Sequence, residues 1–503
     1  MTLLSRILGL ARDIVIARFF SAGDAADAFF VAFKIPNFLR RLFAEGAFSL
    51  AFVPVLSEYR SRYTAAQTRD LIDQVAGTLG AILLILSLLG VLASPVLVSI
   101  IAAGFIDQPE KFDLTADMLR ITFPYILLIS MTAMAAGILN TWKHFAVPAF
   151  TPVLLNLSMI GCAIWLSPRL EVPVTALAWG VLLAGIVQLL FQLPFLYHEG
   201  LLPKPTWGWR HKGVQKIIKL MIPALFGSSV AQINLLFDTF IASFLVSGSV
   251  AWLYYSDRLL EFPLGVFGIA LATVVLPNLS EAHYRKGAAH FNHTLQWALQ
   301  LALVIAIPAT VGLFLLAQPI LSTLFQYGEF QINDSLMASY SLMAYSLGLP
   351  AFILIKILAS GFYARQDTKT PVRIGIQAML LNMVLNVIFV VSMLQSDFLA
   401  PHVGLALATT ASAYFNATML ALTLRKDSII ERFEAFKLPL LKMLMACAAM
   451  SAVIVILSPQ VELWSQWHWF ERVYQLGWLI VPAILCYVLM LWIMGIRRSH
   501  FAL

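Results

Sequence analysis

Apolar runs of about 20 residues recur from one end of this sequence to the other, and no other feature limits its fold as strongly. A helix rises about 1.5 Å per residue, so such a run matches the ~30 Å hydrocarbon core of a bilayer. In lipid, every backbone N–H and C=O must find its partner within the protein, and only helices and closed barrels allow that. Continuous apolar runs, without the alternation of barrel strands, select helices. The composition agrees, with 60% hydrophobic and 12% charged residues in 503, roughly half the charge of a soluble chain. The fold class is therefore an all-α polytopic membrane protein.

The runs predict fourteen spans, at about 3–22, 25–57, 74–105, 113–140, 146–167, 172–197, 213–247, 250–281, 293–324, 335–363, 370–394, 402–424, 437–457 and 474–495. Several exceed one bilayer thickness, so tilt and kinks are expected, with Pro36, Pro124, Pro223 and Pro308 as kink sites. Lys and Arg crowd the even-numbered connections, their flanking helix ends and the C-terminal tail. Only Lys111, Arg169 and Arg472 fall on odd-numbered connections. That asymmetry predicts both termini in the cytoplasm. The aromatic stretch LWSQWHWF (463–470) then sits at the outer interface. The first span begins at Leu3 and carries arginines, which argues against a cleaved signal peptide and leads us to expect a start upstream of Met1.

An internal repeat organises the spans. IARFFSAG (16–23) aligns with IASFLVSG (241–248), FVPVLSE (52–58) with VLPNLSE (275–281), and LLN (154–156) with LLN (380–382), all at offsets of about 225 residues. The offset covers six helices, an even number, so both copies enter the membrane in the same direction. The expected architecture is two parallel, pseudo-symmetric six-helix lobes, at 1–200 and 201–430, plus two further helices in 431–503. Two lobes rocking about a central cavity describe a transporter.

Charged residues inside the spans point to the cargo. The cations are Arg6, Arg12, Arg18, Lys34, Arg40, Arg41, Arg120, Arg258 and Lys356; the acids are Asp13, Asp27, Glu45, Asp238, Asp257 and Glu261. A cation at a lipid-facing helix centre costs about 2.5–3.5 kcal/mol on insertion scales, so these belong in a wet interior or beside a partner. Arg18 and Arg120, near helix ends, can snorkel. In PNFLRRLFAEGAFS (36–49) the second span carries two adjacent arginines. Asp27, Lys34, Arg41 and Glu45 share one stripe of a continuous helix, Arg40 lies about 100° away, and Pro36 can break that register. Asp257, Arg258 and Glu261 pair at helical spacing. Structural ion pairing explains part of this pattern, but the cations outnumber the acids, chiefly in the first lobe. A positive interior suits an anionic passenger, and Arg forks suit phosphate or carboxylate.

Other chemistries find little support. Cys162, Cys447 and Cys486 sit singly in apolar runs, and His290 and His293 lack a third ligand, so no metal site is expected. No Gly-Lys dipeptide occurs, which rules out a Walker A loop. The acid cluster that a lipid-pyrophosphate hydrolase would need is also missing. No enzymatic activity, cofactor or nucleic-acid partner is expected. The driving force is then the membrane potential, the substrate gradient or an ion. Asp238, Asn382, Asn386 and Thr410 offer oxygens that suit Na⁺, and equally suit interhelical hydrogen bonds.

SRILGLARD (5–13), DAFFVAFKIPNFLRRLFAEGAFSLAFVP (27–54), YYSDRLLEFPLGVFGIAL (254–271) and GFYARQDTKTP (361–371) resemble the MurJ (MviN) family of lipid II flippases, in the multidrug/oligosaccharidyl-lipid/polysaccharide exporter superfamily. The resemblance covers essentially the whole chain. It implies transport of lipid II, an undecaprenyl-pyrophosphate-linked disaccharide-pentapeptide, across the bacterial inner membrane for peptidoglycan synthesis. It also implies cavity residues at Arg6, Arg12, Asp27, Arg40 and Arg258, with Asp13, Arg41 and Glu45 nearby, and a polyprenyl groove formed with the last two helices. Lys34, Asp257 and Glu261 join these as secondary cavity or gate residues. Spacing favours Arg41 where the family pattern favours Arg40. Membrane lipids, and cell-wall synthases, are the implied neighbours of a chain that can work as a monomer. Some members of the family use a Na⁺ site. The rival readings are a flippase for another polyprenyl-linked sugar and a cation-coupled multidrug exporter; the arginine excess argues against the second.

Overall fold

The computed structural model describes residues 2–41, 47–283, 287–426 and 434–496, and among them all regular structure is helical. The chain divides into two compact units, Met1–Ala251 and Trp252–Leu503. The first contains α1 (Thr2–Phe20), α2 (Asp24–Arg40), α3 (Ser49–Arg62), α4 (Ala65–Leu92), α5 (Ser94–Ile101), α6 (Pro109–Thr122), α7 (Tyr125–Thr141), α8 (Ala146–Gly161), α9 (Thr175–His198) and α10 (Lys212–Ala242). The boundary falls within α11 (Ser249–Pro263). The second unit continues with α12 (Ile269–Glu281), α13 (Ala288–Leu315), α14 (Ala317–Leu324), α15 (Ile332–Tyr363), α16 (Lys369–Gln395), α17 (Val403–Lys426), α18 (Glu434–Leu457), α19 (Val461–Gln466) and α20 (Trp469–Ile493).

Eleven helical stretches among the described residues are long and apolar enough to cross a bilayer. The protein is thus an all-helical, multi-pass membrane protein. α1 and α2 lie outside that set. α1 carries Arg6, Arg12, Asp13 and Arg18 within 19 residues, and α2 ends after 17. Large apolar side chains cover the outside, Leu92 being 78% exposed and Ile456 80%, as a surface solvated by lipid requires.

Local chemistry explains boundaries that hydropathy missed. The expected span at 74–105 instead starts at Ala65, because Thr64 and Gln67 close a capping box there. It ends at Leu92, where Ser94-Pro95 opens the separate helix α5. Of the expected helix at 25–57, the described residues hold α2 and α3, and 42–46 lie outside them.

Two internal prolines have their consequences answered by neighbouring helices. Pro36 in α2 cannot donate to the carbonyl four residues back, and that carbonyl, of Ala32, accepts from Thr122 Oγ1 of α6 at 3.3 Å, a hydroxyl shared with Leu119 O. Pro308 in α13 leaves Val304 O free in the same way, and Tyr487 Oη of α20 donates to it at 2.8 Å. In a bilayer such a carbonyl has no water to turn to, so each hydroxyl ties two helices together at a proline.

The core of the first unit gathers Phe52 and Leu56 of α3, Leu71, Ile72 and Val75 of α4, Met134 and Ile138 of α7, and Leu196 of α9. In the second, Met443 and Met450 of α18 and Leu479 and Tyr487 of α20 pack with Leu303 and Ile307 of α13.

Candidate functional site

In the first unit, the charges expected to line a cavity sort by position along α1 and α2. Asp27 lies in the first turns of α2 and is 1% exposed. Its Oδ2 accepts from Lys111 Nζ at 2.9 Å and from the Gly248 amide at 2.8 Å, and its Oδ1 from the Ala251 amide at 2.9 Å. Lys111, on α6 and itself 6% exposed, also reaches Asp24 Oδ1 at 2.8 Å and lies 4.3 Å above the Phe105 ring. Asp24 in turn accepts from Ser247 Oγ at 2.6 Å. Just beside this cluster the Gly104 amide donates to Ser243 Oγ at 3.0 Å. A Cβ on Gly104 would stand 2.3 Å from Ser243 O, so only glycine permits that approach. Asp27 thus fastens α2 to α6 and to the turn after α10.

Further along, Lys34 Nζ donates to Thr239 Oγ1 of α10 at 2.9 Å. Arg40 folds back on Asn37, with Nε and Nη2 at 3.0 and 2.8 Å from Oδ1. Both of these acceptors are neutral oxygens. Arg41 is partly buried just past the last turn of α2. From Asp27 to Arg40 is about 20 Å of helix at 1.5 Å per residue. The stripe read from the sequence is therefore an acidic, bonded end followed by a cationic stretch. Glu45 lies outside the described residues.

On α1, Arg12 and Asp13 are 5% and 2% exposed. Nε and Nη2 of Arg12 reach Asp13 Oδ1 at 3.0 and 2.7 Å. Adjacent residues on a helix diverge, so the guanidinium has to bend back along α1 to make this pair, which neutralises a buried charge locally. Arg6 is exposed. Asp238 is half-buried on α10, beside Thr239.

In the second unit, Arg258 Nη1 donates to Glu261 Oε2 at 2.8 Å and the guanidinium lies 5.0 Å over the Tyr254 ring. Asp257 is half-buried next to it. Asn382 and Asn386 of α16 are 1% and 0% exposed. Asn386 Nδ2 donates to Asn382 Oδ1 at 3.0 Å, and Asn382 Nδ2 faces Thr409 Oγ1 and Ser412 Oγ of α17 at 3.3 and 3.4 Å. Thr410 Oγ1 donates to Ala344 O at 2.8 Å. These are neutral amides and hydroxyls, and no group of three His, Cys, Asp or Glu side chains is placed to hold a metal among the described residues. A Na⁺ ion at Asn382 Oδ1 would compete with Asn386 Nδ2 for that oxygen.

Two structural cations escaped the sequence reading, which took them for ordinary loop charges. Lys111 is the counter-ion of Asp27, 84 residues away. The acids Asp24 and Asp27, on one face of a first helical turn, were its only local signal, and acids are common there in any case. Arg472, 5% exposed, donates from Nη1 to Ser322 O at 2.7 Å and Gln326 O at 2.9 Å, and from Nε to Trp467 O at 3.0 Å. It satisfies the carbonyls at the C-terminal end of α14, where a cation is favoured, and so joins α20 to α14.

A lipid-facing helical protein with ionisable side chains such as Arg12, Asp13, Asp27 and Lys111 buried within its first unit has the character of a membrane transporter. Its fold is shared with an inward-facing multidrug resistance MATE family transporter of the MOP superfamily, with a TM-score of 0.68 at 16% identity over 85% of this chain and 96% of that one. The likeness to a lipid II flippase MurJ in an inward closed conformation is greater, with a TM-score of 0.80 at 29% identity over 98% and 97% of the two chains. The family model described as lipid II flippase MurJ matches residues 16–475. A probable lipid II flippase MurJ of Haemophilus influenzae is 48% identical over 99% of each chain. One of Vibrio cholerae is 50% identical over 99% of this chain and 95% of its own. The lipid II flippase MurJ of Burkholderia cenocepacia is 40% identical over 99% and 96%. The chain belongs to the MurJ lipid II flippase family.

Proposed function

We propose that this protein is a lipid II flippase of the bacterial inner membrane, a transporter and not an enzyme, which carries the lipid-linked peptidoglycan precursor from the inner to the outer leaflet. The observation that carries this reading is the family match across residues 16–475. The chemistry of α1 and α2 fits it. A pyrophosphate crossing the bilayer needs cations at mid-depth, and Arg6, Arg12, Arg40 and Arg258 are the residues assigned to that task. Asp27 and Lys111 close the bundle toward one end of α2, while Lys34, Arg41, Asp257 and Glu261 tune charge around the path.

Fourteen spans follow if α1, α2 with α3, and α10 cross the membrane beside the eleven apolar stretches. Both termini are assigned to the cytoplasm. The burial of Lys111 and Arg472 in internal bonds supports this. It leaves Arg169 as the one exposed cation on the connections assigned to the outer side, and the positive-inside asymmetry sharpens accordingly. Residues 1–200 and 201–430 form lobes that alternate access, and 431–503 adds a groove for the polyprenyl tail, for which the apolar packing of α18 and α20 on α13 offers a suitable surface. The protein works as a monomer, beside cell-wall synthases.

The driving force is the membrane potential, acting on a cationic interior. A second reading, Na⁺ coupling, draws on the buried oxygens of Asn382, Asn386 and Thr410, with Asp238 as the acid; unchanged transport when K⁺ replaces Na⁺ at fixed potential removes it. The deciding experiment for function depletes the protein in its host and measures lipid II with a probe confined to the outer leaflet. Loss of the outer pool with accumulation inside is the expected result. A persistent outer pool with a different polyprenyl-linked sugar trapped inside would overturn the substrate and keep the transporter.

A further inference from the structure

The connection between α9 and α10 is built as a fixed strap. α9 ends at Gly200, whose φ of +68° is the left-handed turn that glycine supplies at a helix C-terminus, and the Leu201 amide returns to Leu196 O at 2.8 Å. Leu201 then anchors in the core of the first unit. From Lys204 to Gly208 the backbone runs along the start of α4. The Lys204 amide donates to Asp73 Oδ1 at 2.6 Å, the Thr206 amide to Asp73 O at 3.1 Å, and the Gly208 amide to Thr78 Oγ1 at 3.0 Å. Two glycines make that approach possible. A Cβ on Gly77 would meet Thr206 O at 2.1 Å, and one on Gly208 would meet Gln74 Cβ at 2.3 Å.

So rigid a backbone presents two indoles outward. Trp207 is 64% exposed and Trp209 47%, and their rings stack at 6.3 Å with 12° between planes. A cleft of about 540 Å³ opens beside them, lined by Gln74, Trp207, Gly208, Trp209, Arg210 and His211. Charge around it is one-sided. Asp70 accepts from Gln74 Nε2 at 2.8 and 2.9 Å and faces His211 Nε2 at 3.6 Å, and Asp73 is engaged by the strap backbone. Lys204, Arg210 and Lys212 are exposed and form no ion pair among the described residues. Tyr197, in the last turn of α9, is 71% exposed, which marks the level where apolar helix gives way to headgroups.

We propose that this strap is a binding shelf for an anionic glycerophospholipid, whose phosphate meets Arg210 and Lys204 while Trp207 and Trp209 sit at the glycerol level. Indoles favour the interfacial zone, and cations beside them select anionic over zwitterionic headgroups through a field that salt screens. A water-facing protein partner would leave Tyr197 and the apolar flank of α9 uncovered, whereas the leaflet covers both. The shelf is separate from the cationic stretch of α1 and α2 and does not depend on what the protein transports.

The test uses the full chain in nanodiscs and brominated lipid as a fluorescence quencher. The signal that Trp207→Phe with Trp209→Phe removes isolates these two indoles from the others. With a small fraction of brominated phosphatidylglycerol in phosphatidylcholine, that difference signal is expected to be quenched several-fold more than with the same fraction of brominated phosphatidylcholine. Lys204→Gln with Arg210→Gln is expected to bring the difference signal close to equal quenching by the two lipids, and so is high salt. Equal quenching by the two lipids overturns the proposal. So does loss of the preference on adding a polyprenyl pyrophosphate, which would assign the shelf to the substrate's headgroup, or on adding inorganic phosphate alone, which would reduce it to a simple anion site.

Discussion

Replacing Lys111 with Met removes the counter-ion of a carboxylate that the fold cannot expose. The two side chains are 5% and 2% exposed and 2.9 Å apart. Breaking a buried pair by removing one partner costs about 3–5 kcal/mol, because the remaining charge stays desolvated. The Gly248 and Ala251 amides still bond Asp27, which places the expected loss near the lower end, about 3 kcal/mol. Asp24 stands at a similar distance from Lys111, yet its side chain is 59% exposed. Water screens that contact, so Asp24→Asn should cost at most about 1 kcal/mol. A double-mutant cycle with Asp27→Asn separates the pair from its surroundings, and the two changes together should cost less than the sum of the single losses. Denaturation of the purified protein in mixed micelles supplies the free energies. A Lys111→Met loss below about 1 kcal/mol, or strict additivity with Asp27→Asn, would refute the reasoning that this pair is desolvated and coupled.

Charge-neutral substitution of Arg12, Arg40 or Arg258 is expected to abolish transport while the protein still inserts; a wild-type rate in the leaflet assay for any of the three would remove it from the site. Thr122→Val should cost about 1 kcal/mol by stranding Ala32 O. In a Pro36→Ala background, where a backbone N–H again serves that carbonyl, the cost should largely disappear, and the same unfolding assay compares the two. Arg472→Met should cost about 2–3 kcal/mol and speed hydrogen exchange across Ser322–Gln326, with no change there counting against the link between α14 and α20. The carboxyl of Glu58 is held below its ordinary range chiefly by its hydrogen bond from Lys216. A depressed folded-state value means that the contact contributes fully above pH ~4.5 and is lost as pH falls through the lowered value. The protection of amides at the start of α10, taken relative to their intrinsic exchange at each pH, should therefore hold down to pH ~4.5 and weaken below it, unless Lys216→Met has removed that step.

The membrane class, the run of helices and an excess of Lys and Arg over acids within the expected spans were legible in the sequence. Each depends on a property that neighbouring residues carry together: unbroken hydropathy, helical spacing, or the count of Lys and Arg on alternate loops. The motifs of α1, α2 and α11 were equally visible, and with them the family. Legibility stopped where a partner arrives from far along the chain. Lys111 looked like a loop cation until the fold set it against Asp27, and Arg472 until it closed the carbonyls of α14. The prolines announced kinks at Pro36 and Pro308 but not that Thr122 and Tyr487 would satisfy the carbonyls they free. The Asp27–Lys34–Arg41 stripe was read as a spacing, yet spacing has no means of telling which of its charges locks one helix to another, as Asp27 does to Lys111 of α6. That distinction depends on burial and hydrogen bonding between distant segments, and only tertiary structure brings those segments together.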